Sequence, residues 1–267
     1  MSCCVKWENV TSRSFPVPLG IKQGGINSPD FFACYFDGLT KLLREEAIGC
    51  HVKKLFLAVI LFADDICLIA PTRSGLNKMI ENCSFYCRRF GLSFNPIKSK
   101  VMIFSKRKLN TSLFAPIYLN GQSVEYVNSI KYLGTTIISD PNFEFSARND
   151  LVSFYRATNS ILNVLHKPSE EVAMQLLYTN CVPILTYASA VKIFSAKEMT
   201  SCTVALNDAI RKIVSFNRWE SVRSLRESFG YKSLYEIFAA ASKKFRDALP
   251  SHRNSTIKCL ANIVFTQ

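Results

Sequence analysis

Two adjacent carboxylates, Asp64 and Asp65, lie in the middle of an otherwise apolar run from Leu55 to Ala70, LFLAVILFADDICLIA. Carboxylates set among aliphatic side chains are costly unless water reaches them or a cation neutralises them. The pair therefore has two readings: a solvated acidic turn between two strands, or a metal-binding tip. Mg²⁺ takes one or two protein carboxylates and fills its other positions with water and phosphate oxygens. That donor set suits nucleotidyl transfer, in which metal ions clamp the attacking hydroxyl and the leaving phosphate. The dipeptide alone does not choose between the two. A membrane span is a poor reading of the same run, which is short and would place each aspartate in hydrocarbon at a cost of about 3 kcal/mol.

The cations point to a polyanionic partner. Lysine and arginine total 33 against 20 acidic residues, giving a formal charge of +13 and a pI near 9.3. Clusters fall at Lys53-Lys54, from Lys98 to Lys108, at Arg211-Lys212 and at Lys243-Lys244. Each alone reads as a solvated face, but together they suit a phosphate-lined channel, so nucleic acid is the expected partner. No basic amphipathic anchor or lipidation signal accompanies the charge, and no membrane partner is expected. The ten cysteines lack CxxC spacing, and Cys83 and Cys87 fall on an apolar helical stripe. With three histidines away from any cysteine cluster, buried free thiols are a better reading than zinc. No stretch reads as a signal peptide, and the expected location is intracellular, in the nucleus or the cytoplasm.

The elements that must position these residues follow from patterning. Met1 to Leu19 reads as a strand pair or extended arm. Ser28-Pro29-Asp30 predicts a helix start, with Ser28 as cap. Phe31, Phe32, Tyr35, Leu39, Leu42 and Leu43 share its apolar stripe, and Gly49 ends it. The run around Asp64-Asp65 predicts two strands and a tight turn. A helix from about Gly75 carries Leu76, Met79, Ile80, Cys83, Cys87 and Phe90 on one face and stops at Gly91. Val101 to Phe104 predicts a buried strand, and Asn120-Gly121 predicts a hairpin within Ile117 to Val127. Past Asp140-Pro141 the pattern is helical. One helix carries Leu151, Phe154, Tyr155, Ile161, Leu162 and Leu165, and the next starts near Ser169 and is kinked or ended by Pro183. Another carries Leu206, Ile210, Ile213 and Val214, with Asp208 and Lys212 as an ion pair. The fold class is α+β, with a soft boundary near residue 140.

Phe62-Ala63-Asp64-Asp65 resembles the F/Y-x-D-D signature of reverse transcriptases, and Gly20-Ile21-Lys22-Gln23-Gly24-Gly25-Ile26-Asn27-Ser28-Pro29 resembles their G-x-x-Q-G-x-x-x-S-P block. Gly91-Leu92-Ser93-Phe94-Asn95-Pro96-Ile97-Lys98-Ser99 is similar to the G-L-x-x-N-x-x-K-S/T block, and Ile130-Lys131-Tyr132-Leu133-Gly134 to the K-Y/F-L-G primer-grip turn. Four blocks in the family's order are far more specific than any one. The wording FADD and NPIKSK is most similar to non-LTR (long interspersed element type) retrotransposons, and Pro183-Ile184-Leu185-Thr186-Tyr187 resembles the P-I-L-x-Y-G of their thumb regions. The resemblance implies a partial reverse transcriptase palm over residues 1–140, then a helical thumb and C-terminal connection over 141–267. It implies RNA-directed DNA synthesis on an RNA template with a DNA primer and deoxynucleoside triphosphates, using Mg²⁺ or, in its place, Mn²⁺. Asp64 would be the principal metal ligand and Asp65 the supporting one. Gln23 and Gly24 would lie against the incoming nucleotide and template, Lys98 near the triphosphate, and Tyr132, Leu133 and Gly134 at the primer end. The plainer readings are a β-turn with a helix cap for Gln23-Gly24, a surface lysine for Lys98, and a strand turn with a packed tyrosine for Tyr132.

The sequence also departs from the family. Members carry another metal-binding aspartate on a strand upstream of the Q-G block, and nothing before Gly20 resembles it; Asp30 and Asp37 belong to the predicted helix. Fingers and an endonuclease domain have no counterpart either. The expected palm is therefore incomplete, truncated at its N-terminal side, with an exposed apolar sheet edge. Alone, such a chain is expected to be inactive and poorly soluble. The alternatives are a non-catalytic nucleic-acid-binding remnant, a partner that completes its palm with another chain supplying the missing strand, and, more distantly, an RNA-directed RNA polymerase.

Overall fold

A computed structural model of the chain describes residues 2–17, 24–107, 110, 114–139, 143–164 and 169–265. The first strands, β1 (Ser2–Cys3), β2 (Lys6–Trp7), β3 (Val10–Thr11) and β4 (Phe15–Pro16), nest as two antiparallel pairs, β2 with β3 and β1 with β4. Helix α1 (Ser28–Glu45) follows, with Asn27 rather than Ser28 at the cap position and no side-chain cap bond. The Ser28 amide donates to the Gly25 carbonyl, drawing Ser28 into the first helical turn, where Pro29 fits equally well.

Nor does Gly49 end this helix. It stops at Glu45, and Ala47 takes the left-handed turn at φ +52°. Gly49 answers a packing demand instead, since a Cβ there would lie 2.3 Å from Ala58 Cβ and 3.0 Å from Met79 Sδ.

Two antiparallel hairpins come next, β5 (His51–Val52) with β6 (Leu55–Phe56) and β7 (Val59–Phe62) with β8 (Asp65–Leu68). Helix α2 (Arg73–Arg89) is capped by Thr72, whose hydroxyl accepts from the Gly75 amide at 3.2 Å. Strand β9 (Lys100–Val101) is shorter than predicted. Val101 is buried but Phe104 is exposed, so the apolar run past Val101 has no ladder to join. Strands β10 (Ile117–Leu119) and β11 (Gln122–Tyr126) flank Asn120-Gly121, both at positive φ, the signature of a type I′ turn. Strands β12 (Ser129–Tyr132), β13 (Thr135–Ile138) and β14 (Glu144–Ser146) form an antiparallel three-stranded sheet.

Helices make up the rest: α3 (Arg148–Val164), α4 (Glu170–Leu176), α5 (Val182–Thr186), α6 (Ala196–Val214), α7 (Arg223–Ser228), α8 (Leu234–Ala248) and α9 (Ser255–Phe265). Leu165, predicted to extend the stripe of α3, lies outside the described residues. The Ser169 hydroxyl caps α4 by accepting from the Val172 amide. Pro183 does not end the segment, since it sits in the first turn of α5. A π-helical turn, Leu177–Cys181, separates α4 from α5, and the Val182 amide after it donates to the Leu177 carbonyl, one residue farther back than in an α-helix. On α6, Asp208 pairs with Arg211 at 2.9 Å, not with Lys212, because Arg211 Nε is also held by the Glu220 carbonyl.

The chain divides into two compact units, Met1–Pro96 with Ile117–Ser123 and Ile97–Pro116 with Val124–Gln267. The core of the first gathers Phe36, Leu39 and Leu43 of α1, Met79, Cys83 and Cys87 of α2, and Ala58. In the second, Phe154, Met174, Leu177, Leu185, Leu206 and Ile210 anchor a helical core. Mixed helices and small sheets make the fold α+β. No helix among the described residues is long and apolar enough to cross a membrane. Burial, with Cys87 beside it, pushes the Cys83 thiol up to about 12, and burial together with Glu198 and Asp150 raises Cys202 to about 11. Buried thiols of this kind are structural and unreactive.

Candidate functional site

In the β7–β8 hairpin Phe62 faces Asp65, which leaves Ala63-Asp64 as a two-residue loop. Val59 and Leu61 on one strand, and Ile66 and Leu68 on the other, pack against the core of the first unit. Ile60 and Phe62 point the other way and are 48% and 61% exposed. A two-stranded ribbon is marginal by itself, so the buried face anchors it. Ala63 adopts φ +49°, a left-handed conformation that costs a non-glycine residue about 1–2 kcal/mol.

Asp64 and Asp65 sit at the tip, both exposed. No described residue donates a hydrogen bond or a cation to either carboxylate. Two adjacent, uncommitted carboxylates fit an ion that keeps most of its water, as Mg²⁺ does. They do not make a closed protein cage, and no group of three metal-ligating side chains gathers among the described residues.

The other predicted residues are distributed as follows. Gln23 lies outside the described residues. Gly24 is exposed at φ +78°, and the direction a Cβ would take is open space, so its backbone is approachable from that side. Lys98 is exposed on the turn following Asn95. Of the basic clusters, Lys53, Lys54, Lys243 and Lys244 are exposed, whereas Arg211 is committed to Asp208 and the Glu220 carbonyl.

The three residues Tyr132, Leu133 and Gly134 occur together in the second unit, at the turn between β12 and β13. Leu133 (φ +45°) and Gly134 (φ +78°) are both left-handed, and Tyr132 faces Thr135 across the ladder. Two carbonyls of the turn are held by side chains. Thr135 Oγ1 donates to the Tyr132 oxygen at 2.8 Å, and the Tyr187 hydroxyl donates to the Leu133 oxygen at 3.2 Å. A Cβ on Gly134 would fall 2.9 Å from Tyr187 Cε1, so the ring seats against the glycine.

Sequence reasoning missed this contact. It noted Tyr187 as the end of the Pro183–Tyr187 block but assigned it nothing, and it passed over Lys192, whose side chain is 1% exposed and ion-paired with Asp150 at 2.7 Å. No local pattern marks a buried lysine, and only the apolar neighbours Val191, Ile193 and Phe194 hint at one.

Comparison with known proteins bears on the same segments. The family described as reverse transcriptase (RNA-dependent DNA polymerase) matches residues 2–137. The chain is similar to a probable RNA-directed DNA polymerase from transposon BS of Drosophila melanogaster, 24% identical over 256 residues, covering 91% of this chain and 28% of that protein. It is similar to the retrovirus-related Pol polyprotein from type-1 retrotransposable element R2 of Nasonia vitripennis, 26% identical over 122 residues, covering 43% of this chain and 12% of that one. The corresponding polyprotein from type-2 element R2DM of Drosophila melanogaster is 34% identical over 88 residues, covering 33% and 8%. The chain thus spans less than a third of the length of each of these relatives.

Proposed function

Because the chain belongs to the reverse transcriptase family, of the non-LTR retrotransposon kind, we propose that it carries the metal-binding hairpin and the primer-positioning turn of an RNA-directed DNA polymerase. In this reading residues 1–140 are palm and 141–267 are thumb and connection. The observation that carries it is the pair of exposed, uncommitted carboxylates at the β7–β8 tip, inside the matched segment. Asp64 and Asp65 would hold a divalent cation, Mg²⁺ with Mn²⁺ as substitute. Bound there, the ion would neutralise charge developing on the triphosphate and favour the attacking 3′ hydroxyl.

The other residues bind and orient. Gln23 and the bare backbone of Gly24 lie against the incoming nucleotide and RNA template, Lys98 attracts the triphosphate, and Tyr132-Leu133-Gly134 set the DNA primer end. Exposed lysines supply non-specific attraction to the hybrid backbone. The ten free cysteines suit a reducing compartment, the nucleus or the cytoplasm.

In this reading these residues alone bind primer–template but do not extend it, since two-metal transfer needs a further carboxylate beyond the pair at the tip, on a strand pairing beside β7–β8. The charge of +13 favours a second reading, non-catalytic nucleic-acid binding without any metal. Mn²⁺ binding followed by electron paramagnetic resonance, alongside primer extension on an RNA template, tests both. The proposal expects Mn²⁺ binding that is lost in Asp64→Asn, with unchanged affinity for the hybrid. Equal Mn²⁺ binding by wild type and variant would leave only the second reading, and primer extension by the purified chain would refute its inactivity.

A further inference from the structure

We propose that Tyr187 is a positioning residue for the Tyr132-Leu133-Gly134 turn, and that the Lys192–Asp150 pair fixes Tyr187 in that role. The inference rests on the reading of this turn as the primer-end contact.

The turn does not hold itself. Leu133 is a branched, non-glycine residue at φ +45°, a conformation that persists only where surroundings impose it. The imposing contact comes from 54 residues away, where the Tyr187 hydroxyl donates to the Leu133 carbonyl. Its ring fills the volume that any side chain at Gly134 would need. Tyr187 caps the end of α5, and the loop beyond it is pinned repeatedly. The amides of Val191 and Lys192 both donate to the carbonyl of Ala188, itself left-handed at φ +56°. From α8, the Ser242 hydroxyl lies 3.4 Å from the carbonyls of Ser189 and Ala190.

Beneath the ring sits Lys192. Its Nζ is 5.7 Å from the Tyr187 centroid and 5.6 Å from that of Phe194, within reach of a cation–π attraction to both. Asp150, in the first turn of α3, takes the same ammonium at 2.7 Å. The circuit then closes through the sheet. Helix α3 follows β14 directly, β14 pairs with β13, and β13 leads back to the turn. The Ala147 amide at that junction donates to Glu198 of α6. A hairpin tip that would otherwise hang from two short strands is thus tied to the helical core of its own unit at the peptide proposed to meet the primer.

Tyr187→Phe removes one hydroxyl from a half-exposed ring and leaves the packing under Gly134 intact, so it decides the matter without threatening the fold. Amide hydrogen exchange and thermal unfolding of the full chain report on the turn. Fluorescence anisotropy compares a recessed-3′ primer–template with a blunt duplex of equal length. The expected result is exchange at Gly134 and Thr135 faster by about two- to tenfold, the range of one hydrogen bond's net worth, with α6 amides changed less and the melting temperature lowered by no more than a few degrees. Affinity for the recessed end falls by a similar factor while affinity for the blunt duplex does not. Lys192→Met should give the same split between recessed and blunt ends, with a lowered melting temperature because it also strands Asp150. Unaltered exchange at Gly134 and Thr135 overturns the positioning role whatever the binding shows. Faster exchange with recessed and blunt ends bound alike in both proteins overturns the primer-end reading beneath it.

Discussion

The Lys192–Asp150 pair gives a prediction whose size follows from exposure. Side chains of the two partners are 1% and 14% exposed, so the lysine is the more deeply buried. Removing one partner of a buried pair costs about 3–5 kcal/mol, because it strands the other charge. Asp150→Ala strands an ammonium whose remaining partners are the Tyr187 and Phe194 rings. At 5.7 and 5.6 Å, near the outer reach of the attraction, each ring returns only about 0.5 kcal/mol, leaving a net cost of about 2–4 kcal/mol. Lys192→Met strands a carboxylate that water partly reaches and that lies in the first turn of α3. The helix dipole offsets about 0.5–1 kcal/mol there, and the cost should be about 1–3 kcal/mol. The double variant leaves no stranded charge and should fall within about 1–2 kcal/mol of wild type. Urea unfolding at pH 7, followed by circular dichroism, measures all three against wild type. A double variant as unstable as the two single costs added together would refute the coupling, and a costlier Lys192→Met would refute the exposure argument.

Three further outcomes follow from features already described. Gly134→Ala should destabilise by at least about 2 kcal/mol in the same unfolding assay, since φ +78° disfavours alanine and the new Cβ meets Tyr187 Cε1 at 2.9 Å. Ala63→Gly should stabilise the β7–β8 hairpin by about 1 kcal/mol, read as slower exchange of the Asp65 and Ile66 amides, because glycine accepts φ +49° without strain. Stability should fall as pH rises above 9.0, where unfolded thiols ionise while the folded Cys83 and Cys202 hold their protons up to about 12 and about 11. Their contribution is full below pH 9.0 and lost above it at about 1.4 kcal/mol per pH unit for each group. Cys83→Ala should flatten that slope between pH 9 and 11, and an unchanged slope would discount the buried thiol.

What could be read from sequence was what local geometry writes into it. Met79, Cys83 and Cys87 lie on the buried face of α2 as their helical spacing required, and the aspartates sit on a hairpin tip because apolar strands flank them. Asn120-Gly121 announced its own turn. Errors came where two local solutions compete at similar cost. Asn27 and Ser28 are both good caps, and Ala47 took the left-handed residue that Gly49 seemed to offer. Val101 to Phe104 has the composition of a strand, but only a partner can make it one, and partners are not a local property. The Tyr187 contact was illegible for the same reason, since both ends of a 54-residue separation look ordinary alone. Lysine at a buried position inverts its usual environment, and only the fold reveals Asp150 beside it.

The π-helical turn at Leu177–Cys181 has a consequence in angular phase. A uniform α-helix advances about 100° per residue, and on that count Met174 and Val182 would face directions about 80° apart, with Leu177 and Val182 about 140° apart. The wider turn advances less per residue and retards everything after it by roughly one residue's rotation. Val182 and Leu185 thereby return to the side already occupied by Met174 and Leu177, and all four are buried in one core. Tyr187 inherits the same offset. Its aim at the Leu133 carbonyl is therefore set six to ten residues upstream, by a single surplus residue acting as a phase shifter. Deleting one residue between Leu177 and Cys181 would advance the clock again and turn the ring away from the hairpin, with every contact residue still present in the chain.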